Sequence, residues 1–238
     1  MALRELKYNS HAYSISYEIL NQKQNNAIVF LHGWGSNKEI MKQAFATKLK
    51  RFRLIFLDLP GFGSSSIDSP IRTDDYALIV KLFLDSLHVK SFSIIGHSFG
   101  GKIGAILNPK NLILLSSAGI LVEKSLKVKT KIRFFKIFKN IVPNSMYKFF
   151  ASDDVSGMSQ VMYETLKSVV DEDFSPIFKK VTSKTFIFWG KEDKATPLSS
   201  GKKISQIIRN SNFYPLDGDH FFFIKNSKFI TEVIDEQL

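Results

Sequence analysis

The sequence predicts an α/β protein, a mostly parallel central sheet flanked by helices and carrying one helical insertion. Three observations lead there. Short, continuous apolar runs of strand length alternate with longer stretches of helical period. Glycine-bearing turns follow successive runs, and one long segment, residues 121–182, contains no strand-like run. Continuous runs suit strands covered on both faces, as parallel strands are. A sheet of that kind binds its ligands beyond the carboxyl ends of its strands, so function is expected in the turns that follow the runs.

In chain order, residues 11–19 alternate partially and read as an early edge strand carrying His11. Residues 27–31, 53–57, 92–95, 111–115, 184–189 and 212–216 supply the further strands. Helical patterns cover 39–50, 74–87 behind Thr73 as N-cap, 197–209 and 227–236. A further helix, "GGKIGAIL", follows the fourth run and reaches its end at Pro109. Within the insertion, Val128, Ile132 and Phe135, joined by Phe134, Phe138 and Ile141, make a helical stripe. The expected organisation is a core from residues 1–120, a helical cap over 121–182 and the rest of the core from 183–238.

A chain of 238 residues with 44% hydrophobic and 23% charged residues can bury a sizeable core. It has no cysteine, which removes disulfides, thiolate nucleophiles and cysteine metal sites. The polar start "MALRELKYNSHAYS" is unlike a secretory leader, and no apolar run reaches the ~18 residues of a membrane helix. The expectation is a cytoplasmic protein without membrane attachment. A formal charge of +11 raises nucleic-acid binding, but no such module is recognisable and the 22 phenylalanines mostly sit in apolar segments. No nucleic-acid partner is expected.

The chemistry concentrates in "SFSIIGHSFGGKIG", residues 91–104. A hydroxyl on a sharp turn from strand to helix occupies a cramped backbone, and Gly96 and Gly100 remove side chains that would collide there. Ser98 then stands at the positive end of a helix, as a nucleophile should. Serine needs a base. Of the five histidines, His220 in "LDGDHFFF" follows the last strand at the correct end of the sheet, whereas His97 should point away and His32 should be structural. The acid comes from "FIFWGKEDKATP", with Asp193 favoured over Glu192 because a short carboxylate before a Thr-Pro turn suits a fixed bond to imidazole. Backbone N–H groups of Phe99 and of Trp34 in "HGWGS" would form the oxyanion hole. Asp219, beside the base, reads as a solvent-facing turn residue or a functional carboxylate.

With these residues assigned, "FLHGWGS", "LIFLDLPGFGSS", "IIGHSFGG", "WGKEDKATP" and "GDH" resemble the α/β-hydrolase fold over nearly the whole chain. Within it the chain is similar to small carboxylesterases and to pimeloyl-[acyl-carrier protein] methyl ester esterases. The resemblance implies a cofactor-free, metal-free serine esterase with Ser98, Asp193 and His220 as triad and a small-molecule ester as substrate. A thioesterase, a carbon–carbon bond hydrolase, a perhydrolase, an amidase and a non-catalytic binder share the same residues. The basic stretch from Lys124 to Lys148 holds seven lysines, Arg133 and no carboxylate. It reads either as a solvated face or as a docking surface for an acidic acyl carrier protein.

Overall fold

The computed structural model describes residues 1–121 and 158–238. Along them run β1 (Ala2–Tyr8), β2 (His11–Leu20), β3 (Ala27–Leu31), α1 (Lys38–Phe45), β4 (Arg53–Leu57), α2 (Thr73–Ser86), β5 (Phe92–His97), α3 (Phe99–Leu107) and β6 (Asn111–Leu115). After residue 157 come α4 (Gln160–Val169), α5 (Ser175–Phe178), β7 (Lys184–Gly190), α6 (Leu198–Ile207), β8 (Ser211–Leu216) and α7 (Ser227–Gln237). The strands form one sheet in the order β1-β2-β4-β3-β5-β6-β7-β8. β1 and β2 pair antiparallel, as do β2 and β4, and every later pairing is parallel.

The continuous apolar runs bury both faces of the sheet. In β3, Ala27, Val29 and Leu31 join one core with α2 through Tyr76, Val80 and Phe83 and with α3 through Ile103. Ile28 and Phe30 point the other way, into a second core with Met41 and Phe45 of α1 and Ile230 and Ile234 of α7. The order reverses between β3 and β5: β4 lies on one side of β3 and β5 on the other. The carboxyl ends of these two strands therefore flank a topological switch point, where an open α/β sheet leaves a crevice.

Several elements differ from expectation. β1 pairs along its length with β2, so β2 with His11 is an interior strand and not the edge. α1 ends at Phe45, and turns closed by Lys48 N–H to Phe45 O (3.0 Å) and Phe52 N–H to Leu49 O (3.0 Å) replace its last residues. Leu49 adopts φ 52° there, and this turn carries its side chain into the second core. Arg72, not Thr73, caps α2: Asp75 Oδ2 accepts the Arg72 N–H at 2.8 Å, while Thr73 Oγ1 donates to Glu172.

Most of the expected cap, residues 122–157, lies outside the described residues. Its return is described, and α4 and α5 pack Met162, Val169 and Phe178 into the first core. No helix among the described residues is long and apolar enough to cross a membrane.

Candidate active site

Four loops converge beyond the carboxyl ends of β3, β5, β7 and β8. The turn after β5 is the tightest. Ser98 has φ 50° and ψ −111°, strained for a side-chain-bearing residue and tolerated because the surroundings fix its backbone. Its N–H donates to Leu115 O at 3.0 Å, and its carbonyl accepts from Gly101 N–H at 3.1 Å and Ala118 N–H at 3.0 Å. A Cβ on Gly96 would stand 2.5 Å from Gly100 O, and one on Gly100 would strike Leu31 O. Both glycines are thus required by close backbone approach between β5, α3 and β3.

The loop after β7 presents Asp193, which is buried. Its Oδ1 accepts from the N–H groups of Ala195 and Thr196, each at 2.9 Å. Its Oδ2 lies 2.7 Å from Nδ1 of His220, which stands in the loop after β8. Burial opposes ionisation of this carboxyl, but the hydrogen bonds from His220 and the Thr196 N–H outweigh it and hold the pKa at about 2. An ionised Asp193 accepting from Nδ1–H leaves His220 Nε2 as the basic nitrogen. The Thr196 hydroxyl braces the pair, 2.9 Å from Asp193 Oδ2 and 3.1 Å from Ser116 O.

Ser98, Trp34, Phe99 and Thr196 line one cavity of about 420 Å³, to which Leu166 and Val169 of α4 also contribute. The lining is mostly apolar. Trp34 packs edge-on against Phe62 and Phe99, which fixes the loop after β3 over the turn after β5. The N–H of Phe99, first residue of α3, belongs to the helix-terminal donors left without an intrahelical acceptor. The Trp34 and Phe99 rings lie 5.5 Å apart between centres.

Residues 26–111 match the family described as alpha/beta hydrolase fold. A hydrolase from Pseudomonas aeruginosa superposes with a TM-score of 0.76 at 18% identity, covering 98% of this chain and 97% of the other. The chain has the α/β-hydrolase fold. Among curated proteins, the chain is 24% identical over 251 residues to the uncharacterized hydrolase YugF of Bacillus subtilis, with 88% of each chain covered. It is also 29% identical over 196 residues to the pimeloyl-[acyl-carrier protein] methyl ester esterase of Wigglesworthia glossinidia brevipalpis, covering 78% of this chain and 68% of that one.

Glu192, Asp219 and His32 are used locally. Glu192 accepts the Gly218 N–H with its side chain. Asp219 Oδ1 accepts the Phe221 N–H at 2.9 Å, closing an exposed turn. His32 is fully buried, accepts the Leu59 N–H on Nε2 at 3.0 Å and lies 2.8 Å from Gly33 O through Nδ1. Burial pulls its pKa down to about 4, so it is a neutral brace for the loop after β3.

Two charged residues near the site escaped the sequence reading. Lys102 on α3 is 2% exposed and lines the cavity; its Nζ donates to Val169 O and to Glu172 Oε2, each at 2.6 Å, and stands 4.4 Å from the Phe174 ring centre. The only signal was a lysine inside an otherwise apolar helix. Lys38 donates to Asp58 Oδ2 (2.7 Å) and Ser16 Oγ (3.0 Å), while its own N–H reaches Asp58 Oδ1 at 2.7 Å. That buried pair locks the start of α1, just beyond the Trp34 loop, to the end of β4.

Proposed function

We propose that the protein is a serine hydrolase of carboxylic esters. The observations that support this most directly are the 2.7 Å contact of His220 Nδ1 with buried Asp193 and the strained strand-to-helix turn at Ser98. In the proposed reaction Ser98 Oγ attacks the ester carbonyl carbon and its proton passes to His220 Nε2. The carbonyl oxygen becomes an oxyanion that accepts from the N–H groups of Phe99 and Trp34. Collapse expels the alkoxide, which takes the proton from His220. A water, deprotonated by the same nitrogen, then cleaves the acyl-enzyme and restores Ser98. Asp193 stays ionised throughout, orienting the ring and stabilising the imidazolium. The mostly apolar cavity suits an acyl chain, and one relative is named as a methyl ester esterase. The proposed chemistry uses neither metal nor organic cofactor.

A fluorophosphonate probe should label the protein at Ser98, and a panel of p-nitrophenyl esters and acyl thioesters of graded chain length should show ester cleavage with defined chain preference. Ser98→Ala should lose labelling and nearly all turnover, by analogy with a loss on the order of 10⁶ in kcat for a triad serine. Retention of a tenth of the wild-type rate would exclude Ser98 as nucleophile. Thioesters cleaved in preference to esters would move the assignment to a thioesterase on the same residues.

An acidic acyl carrier protein is the macromolecular partner we propose for this reading. The basic stretch that would dock it, Lys124 to Lys148, lies outside the described residues. Docking through it predicts that kcat/KM for a carrier-bound ester falls steeply with salt while a small neutral ester is unaffected, since exposed charges are screened beyond ~10 Å at 0.1 M. Equal salt responses would reject the partner.

A further inference from the structure

His97 immediately precedes Ser98, is buried and takes no part in the proposed proton transfers. Its Nε2 lies 3.0 Å from the main-chain oxygen of His220. A carbonyl only accepts, so Nε2 carries the hydrogen and Nδ1 bears the lone pair. That Nδ1 is buried and has no hydrogen-bond partner among the described residues. Gly33 covers it: a Cβ on Gly33 would lie 2.9 Å from Nδ1 and 3.1 Å from Ser98 Cβ. On its other sides the ring meets His220 at 4.6 Å, Phe223 at 4.8 Å and Phe221 at 5.4 Å between centres.

Three loops therefore meet on one imidazole: the Trp34 loop through Gly33, the Ser98 turn through the chain itself, and the base loop through the His220 carbonyl. Burying a nitrogen without a partner costs free energy that a phenylalanine or leucine would avoid among these rings. The donor on Nε2 is the one thing those residues could not supply. We propose that His97 is a positioning residue for the catalytic base, holding the His220 main chain at fixed height over Ser98 and the oxyanion loop. This rests on the triad reading above. Burial, and then the neighbouring His220, pull the His97 pKa down to about 3; Asp193 opposes this and His32 adds to it. The ring is therefore neutral near pH 7, and its tautomer does not change as His220 gains and loses a proton.

The test compares His97→Leu, His97→Phe and His97→Gln with wild type on a p-nitrophenyl ester, with Ser98→Ala as control. The leucine and phenylalanine variants lack the donor and should lose about 10²-fold in kcat with KM unchanged, the cost of a roughly 1 Å misplacement. His97→Gln keeps an N–H within reach of the His220 carbonyl and should recover most of kcat. The downfield proton resonance of the His220–Asp193 bond should be sharp in wild type and the glutamine variant and broadened in the other two. If the leucine variant does not fold, His97→Phe, which keeps the aromatic packing, carries the test alone. Full kcat in a folded variant without the donor, or equal losses in the phenylalanine and glutamine variants, would overturn the positioning role. Activity surviving in Ser98→Ala would instead sink the triad reading, whatever the His97 variants do.

Discussion

Asp193 and Glu192 are neighbours in sequence, and the fold gives them unrelated work. Asp193 is buried with both oxygens engaged, whereas exposed Glu192 ties down a glycine of the next loop. Asp193→Asn should therefore lower kcat by up to about 10⁴, because the amide presents the wrong partner to His220 Nδ1. Glu192→Gln should leave kcat near wild type; a larger loss at Glu192 would transfer the acid role to it. The pKa of Asp193, about 2 against an ordinary value near 3.9, means its bonds stabilise the native state above about pH 4 and are lost as pH falls through 2. The Ser98 turn with its two glycines, and Asp193 and His220 as neighbours, could be read from sequence because each sits in a short motif with local geometry. Thr196 as a brace, His97 as a hub and Lys102 as a cavity residue could not. Their partners, Ser116, His220 and Glu172, are distant in the chain, and only the assembled sheet brings them together.

Elements with strong apolar runs appear where the sequence puts them; the misses have separate causes. β1 reads "ALRELKY", with charges spread along it and Leu3 exposed, so an edge strand shows too little hydrophobic signal to be found. α2 starts differently from its sequence pattern because Asp75 reaches back to the N–H of Arg72, a bond that frees Thr73 to meet Glu172 from beyond α4. The Lys38–Asp58 pair joins two motifs that the sequence shows only as separate glycine turns. Burial opposes ionisation of Asp58, but hydrogen bonds from the Lys38 N–H and ammonium prevail and lower its pKa. Asp58→Asn strands a lysine that is 3% exposed and should cost about 3–5 kcal/mol in urea unfolding. Lys38→Met with Asp58→Leu should recover only part of that stability, since it removes the stranded charge but leaves the N–H groups of Lys38 and Ser64 without their carboxylate acceptor. A double variant as unstable as the single one would show that the pair does more than neutralise itself.

Across the whole molecule, two buried neutral histidines set the response to acid. His32 and His97 are drawn down by burial to about 4 and about 3, from roughly 6.5 in the unfolded chain. Between those values the unfolded chain binds protons that the native state refuses, so stability should rise with pH and fall as pH drops below about 6.5. Each histidine contributes a slope approaching about 1.4 kcal/mol per pH unit. Urea unfolding at pH 7, 6 and 5 should show this loss, with a shallower slope in His97→Gln; an unchanged slope in that variant would mean His97 is charged in the native state. The sheet has two rims, and they resist self-association differently. β8 carries Pro215, which offers no N–H to an incoming strand, and β1 sets Arg4, Glu5 and Lys7 along the other rim. Removing residues 1–8 would strip that rim and lay bare β2, a ten-residue strand whose Tyr13, Ile15 and Ser16 are buried in the intact fold. An N-terminally clipped preparation should therefore elute as multimers while the full chain does not, making proteolysis at the amino end a route to aggregation with the catalytic residues untouched.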